Sequence, residues 1–194
     1  RFDDGLTSTL IRIEDSLQHA GVAVLIETHA SGDPGIYVYS PELRRERRIT
    51  TGALAGSMLG TDFSYEDFAH LQHPAAGAHI ERLADADIAG HPAYVFVSLP
   101  ADKSSEYSRI VTYLDRQLCL PVKAQFYARN GTLHKEVVMV RTAVRRVNEQ
   151  WVPLQTVMLD HRRDSRSVLV VSDVDINPEL PDWLFSPVDL RRQH

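Results

Sequence analysis

The sequence predicts a mainly β protein organised as an antiparallel meander. Three observations carry that expectation. Short apolar, β-branched segments recur along the chain, most of them bounded by Gly, Pro, Asn or Asp, the pattern of strands joined by tight links. No βαβ alternation, heptad or fixed-period repeat is present, which removes parallel α/β, coiled-coil and solenoid architectures. One long interruption, residues 50–75, stands between two runs of strands. A sandwich and a strongly curved sheet both satisfy these observations.

Composition narrows the class of function. With 194 residues, 43% hydrophobic and 24% charged, the chain has the apolar mass for a real core, and one domain spanning 1–194 is expected. A net charge of −5 and a pI near 6.0 argue against a nucleic-acid partner. No apolar run reaches the roughly 18 residues needed to span a bilayer. The single cysteine, Cys119, excludes an intramolecular disulfide, and its setting in LCLP suggests a buried structural thiol.

Taken in order, LTSTLIRI (6–13) is a strand ended by Glu14-Asp15-Ser16. VAVLIET (22–28) is apolar on both faces and suits a central strand, and ASGDPG (30–35) is a turn. IYVYS (36–40) alternates until Pro41, and residues 43–49 carry the densest basic run. In the interruption, Gly52, Gly56 and Gly60 recur at a spacing of four. In a short chain this reads as a flexible loop or single helical turn rather than close helix packing. Ser64 and Asp67 match a capping box, which predicts a short helix from Tyr65 to about Leu71, ending before Pro74.

Strands then resume. Residues 79–90 and 91–99 form a predicted hairpin turned at Gly90-His91, with Pro92 near a strand start where it is tolerated. The polar stretch 100–108 suits a helical turn, and RIVTYLD (109–115) leads into PVKAQFYA (121–128). Asn130-Gly131 is the strongest hairpin signal, pairing that strand with residues 132–147. Segments 151–160 and 166–176 complete the meander. The prolines of NPELPDWLF prevent a long terminal helix and leave Trp183 and Phe185 as anchors.

Several strands, at 94–99, 137–140 and 168–171, read as apolar on both faces. Either a second layer covers them or one face lines an apolar cavity. Signals for chemistry are weak by comparison. His70, His73 and His79 begin with a metal-like spacing, but no carboxylate motif supports a third ligand, so neither metal nor other cofactor is expected. There is no G-x-S-x-G and no phosphate-cradling glycine loop. Asp62, Glu66 and Asp67 could form an acid–base group, yet helix capping and the helix dipole explain Asp67 and Glu66 better, so an enzyme is not expected. On a strand, Arg45 and Arg47 would face one way and Arg44 and Arg48 the other. That run reads as a charged strand edge, or as a contact for an acidic partner or lipid head groups.

The strings YSPELRRERRI and LGTDFSYEDF, followed by EYSRIVTYLDRQLCLPVKAQFY, NGTLHKEV, WVP and LPDWLFS, resemble the LolA-like outer-membrane lipoprotein-sorting family over nearly the whole chain. GTDFSYED is the most specific of them. The resemblance implies a half-barrel: a strongly curved antiparallel sheet with a few short helices over its apolar concave face. It further implies a monomeric periplasmic carrier, exported by a signal peptide, that binds lipid or lipoprotein acyl chains. A member of this family often works beside an inner-membrane transporter of the RND/MMPL type, and an accessory subunit without cargo is the alternative. By the same comparison, an N-terminal helix and first strands would precede residue 1. On this reading Leu54, Met58, Leu59, Phe63, Tyr94 and Phe96 are expected to contact cargo, with residues 53–59 as a lid. Arg44, Arg45, Arg47 and Arg48 are expected to contact a partner or head groups.

Overall fold

The computed structural model describes residues 2–3, 6–29, 34–72 and 77–192. The structure is mainly β, with antiparallel sheets that do not close on themselves and few helices, as the sequence predicts. The chain divides into two compact units, one of Arg1–Leu59, Ser64–Gly77 and Glu179–His194, the other of Gly60–Phe63 and Ala78–Pro178.

The first unit is a five-stranded antiparallel sheet in sequence order: β1 (Phe2–Asp3), β2 (Leu6–Arg12), β3 (Ala23–His29), β4 (Gly35–Ser40) and β5 (Arg45–Arg48). The central position expected for 22–28 is borne out, since Ala23, Val24, Leu25 and Ile26 are all fully buried. Alternation sends their side chains into two cores. Val24 and Ile26 pack with Ile36, Val38, Ile49, Met58 and Tyr65. Ala23 and Leu25 pack with Leu190, Tyr37, Tyr39 and Phe185. The C-terminal tail therefore covers one face, held also by Arg12 Nη1 donating to the Leu190 carbonyl at 3.1 Å. Short 3-10 turns at Asp182–Phe185 and Pro187–Asp189 replace a long helix there, as the prolines require. The ASGDPG turn lies largely outside the described residues.

Helix α1 (Tyr65–Gln72) starts where the capping box places it. Ser64 N donates to Asp67 Oδ2 at 2.7 Å, and Asp67 N donates to Ser64 Oγ at 3.1 Å. Its apolar residues Tyr65, Phe68 and Ala69, at helical spacing, are buried or half-buried. Its end before Pro74 lies outside the described residues.

The second unit is a seven-stranded antiparallel sheet in the order β14-β13-β10-β9-β8-β7-β6, with a separate two-stranded ribbon β11-β12. Its strands are β6 (His79–Ile88), β7 (His91–Leu99), β8 (Tyr107–Asp115), β9 (Pro121–Ala128), β10 (Leu133–Met139), β11 (Val144–Val147), β12 (Gln150–Pro153), β13 (Gln155–Asp160) and β14 (Ser165–Val170). Five expectations are corrected. The β6–β7 turn is Ala89-Gly90, one residue earlier than Gly90-His91, because Ile88 pairs with His91 and both loop residues have positive φ, 52° and 84°. The predicted strands 132–147 and 151–160 each break, at a 3-10 turn (Arg141–Ala143) and at Leu154. The two breaks are bonded to each other through Leu154 N and the Ala143 carbonyl at 3.1 Å. The stretch 100–106 forms turns and bends rather than a helical turn, with Asp102 accepting from Ser104 N at 2.8 Å, and Tyr107 and Ser108 already belong to β8. Cys119 is exposed, not buried: it sits at φ 54° in the turn after β8, where Asp115 accepts the amides of Gln117 and Leu118.

Candidate functional site

Residues directly opposed across antiparallel strands share a face of the sheet. From β14 to β6 one such row is Ser167, Met158, Val137, Ala124, Thr112, Phe96 and Arg82. The next row on the same face is Asp160, Lys135, Phe126, Ile110, Ser98 and Ile80. Met158, Val137, Ala124, Phe126 and Ile110 are buried at its centre. Towards β6 the face opens, with Phe96 half-buried and Ile80 47% exposed.

The reverse face is mixed: Ala93, Val95 and Val97 of β7 are buried on it, and its centre is polar. Gln125 Nε2 donates to Glu136 at 2.9 Å, Lys123 Nζ lies 2.9 Å from the same carboxylate, and Tyr113 donates to Gln125 at 3.1 Å. Arg109 stacks 4.1 Å over the Tyr127 ring. Of the strands expected to be apolar on both sides, β14 is an edge strand, and its Val168, Leu169 and Val170 are exposed. The apolar face is therefore the candidate site. An alkyl chain laid on such a surface gains about 0.8 kcal/mol per buried CH₂.

Two of the residues expected to contact cargo, Tyr94 and Phe96, lie on this face, two positions apart in β7. Arg82 and Arg116 both meet the Tyr94 ring, with guanidinium carbons 4.8 and 4.9 Å from its centroid. Sequence reasoning missed both arginines. Arg82 could have been found by laying out the hairpin, since it opposes Phe96; Arg116 reaches Tyr94 only through the fold.

Leu54, Met58 and Leu59 belong to the first unit, where Met58 is a core residue at 4% exposure and Leu54 and Leu59 pack against that core. Phe63 is buried in the second unit. Arg45, Arg47 and Arg48 are exposed along β5, the edge strand. Arg44 is not on the strand: it ends the turn before it at φ 48°, its amide bonded to the Pro41 carbonyl at 3.2 Å.

The GTDFSYED carboxylates have defined local partners. Asp62 accepts from Ser165 Oγ at 2.6 Å and Ser167 Oγ at 2.8 Å, and Arg163 lies 3.5 Å away. Burial opposes its ionisation, but these hydroxyls and the charges of Arg163 and Lys135 prevail and hold its pKa below 3.8. Asp67 is the capping residue, and Glu66 faces His70 at 3.3 Å. Burial pushes the Tyr65 phenol above its ordinary value, with Arg47 offsetting part of the rise. His79 pairs with Glu81 at the surface, His73 lies outside the described residues, and no group of three metal-ligating side chains occurs among the described residues.

This open antiparallel architecture, with its capped helix and apolar sheet face, is a LolA-like fold. The chain belongs to the family whose model carries the description "Uncharacterized protein" and matches residues 5–192. Its structure is similar to an outer membrane lipoprotein-sorting protein domain from Vibrio parahaemolyticus, at 26% identity and TM-score 0.85, covering 94% of this chain and 77% of that one. It is also similar to a DUF1329 family protein from Desulfovibrio piger, at 22% identity and TM-score 0.85, covering 93% and 75%. A LolA superfamily protein from Nitrosomonas europaea follows at 21% identity and TM-score 0.70, covering 92% and 76%. No curated protein matches the sequence. Among the described residues no helix is long and apolar enough to cross a membrane.

Proposed function

We propose that this protein is a non-enzymatic periplasmic carrier that shields the acyl chains of lipids or lipoproteins. The observation that carries this reading is the apolar face of the seven-stranded sheet, which opens where Phe96 is half-buried and Ile80 exposed. Similarity to a lipoprotein-sorting domain supports it. Apolar burial alone suffices to hold an alkyl chain, so no reactive group is required. Tyr94 and Phe96 are the cargo contacts in this reading. Leu54, Met58 and Leu59 would act as a lid only by leaving the core in which Met58 is now buried.

Native mass spectrometry with lipid extraction of the full-length mature protein tests the proposal. Co-purified lipid, together with binding of an acylated probe that Phe96→Asp weakens in a folded variant, is the expected result. Lipid-free protein that binds no acylated probe would overturn it. The exposed arginines of β5 favour a second reading, an accessory subunit of an RND/MMPL-type transporter. Reversing Arg45, Arg47 and Arg48 to Glu should abolish cross-linking to such a transporter if that reading holds, and leave it unchanged if it does not.

A further inference from the structure

We propose that Arg82 and Arg116, which both meet the Tyr94 ring, bind the phosphate head group of an anionic acyl lipid. Both guanidinium carbons lie within 5 Å of one ring centroid, at 4.8 and 4.9 Å. That holds two like charges within about 10 Å of each other, inside roughly one Debye length at 0.1 M salt. A single carboxylate answers them: Asp85 accepts a hydrogen bond from Arg82 and a 3.5 Å contact from Arg116. The cluster keeps an excess positive charge. Each guanidinium carries several N–H donors, and Asp85 is the only side-chain acceptor either one meets among the described residues. The Tyr94 hydroxyl likewise makes no hydrogen bond to a described residue.

Stability does not explain this arrangement. The side chains of Arg82, Arg116 and Asp85 are 50%, 46% and 40% exposed, and ion pairs so solvated contribute little to folding. Position points to an amphipathic ligand instead. Arg82 opposes Phe96 across the β6–β7 ladder, and Tyr94 follows on the same face. Donors suited to bidentate contact with phosphate oxygens thus adjoin the place where the apolar face opens. A phosphate there could exchange with Asp85 for the same donors while its acyl chain lies along Phe96 and Ile80. This inference rests on the carrier reading and adds to it the charge of the cargo.

The test compares the full-length protein's affinity for phosphatidylglycerol with that for diacylglycerol of matched chains, with inorganic phosphate as competitor. The expected result is a preference for phosphatidylglycerol of roughly tenfold or more, the scale of a charge-assisted contact. The preference should fall to near unity in Arg82→Gln/Arg116→Gln and fall partway in Arg82→Lys/Arg116→Lys, which keeps the charge but not the planar fork. Circular dichroism confirms folding, and Arg116→Gln alone serves if the double variant is unstable. Equal affinity for the two lipids, or a preference that survives in Arg82→Gln/Arg116→Gln, overturns the head-group site and leaves the carrier reading standing. Inorganic phosphate binding as tightly as the lipid also overturns it. Binding of neither lipid removes both proposals.

Discussion

Asp62 and Ser167, 105 positions apart in sequence, are joined by a reciprocal pair of hydrogen bonds. Ser167 Oγ donates to Asp62 Oδ2 at 2.8 Å, and the Asp62 amide donates to Ser167 Oγ at 2.9 Å. The most specific string of the sequence therefore begins as an anchor on the edge strand of the seven-stranded sheet, with Ser165 adding a third bond.

Removing this anchor should destabilise the fold. Asp62→Ala deletes charge-assisted bonds at a buried site and is expected to cost about 2–3 kcal/mol, read as a lower urea midpoint. The pH dependence has a defined sign. Because the folded-state pKa is held below 3.8, the contribution is present above that value and is lost as pH falls through the depressed pKa. Wild type and Asp62→Ala should therefore converge in stability in acid and diverge at neutral pH.

The capping box makes a separate prediction. Ser64 and Asp67 are both fully buried, so neither orphaned amide can turn to water. Ser64→Ala and Asp67→Ala should each cost about 1–2 kcal/mol. The double variant should cost less than their sum, because both changes break the same reciprocal pair. Chemical denaturation of the four proteins gives the cycle.

A turn offers the opposite sign. Ala89 occupies a left-handed conformation at φ 52°, beside Gly90 at 84°. Asn tolerates that region better than Ala, and Asn-Gly is the preferred pair for a two-residue hairpin of this kind. Ala89→Asn should raise stability by about 0.5–1 kcal/mol, whereas Gly90→Ala should lower it. Thermal melts of the two variants decide the matter.

Cys119 is exposed. The native protein should therefore titrate one thiol with an aromatic disulfide reagent in the absence of denaturant, and Cys119→Ser should abolish the signal without changing the melting temperature. A thiol that reacts only after unfolding would contradict the observed turn.

Local chemistry was enough for much of this molecule. Alternation located most strands, four consecutive apolar residues marked β3 as central, and the Ser64–Asp67 spacing placed the start of α1. Each of these signals is complete within a few residues of chain, which is why composition and spacing carried it. Tertiary structure decided what depends on distant partners. Met58 became core because the strands of the first unit surround it, and Asp62 became an anchor because β14 returns beside it. The apolar run of β14, an edge strand, is exposed in the fold. Arg82 and Arg116 meet at Tyr94 only once β6, β7 and the turn after β8 are side by side. Hydrophobic pattern specifies which elements form; which face is covered, and which charges converge on it, depends on contacts between residues far apart in the chain.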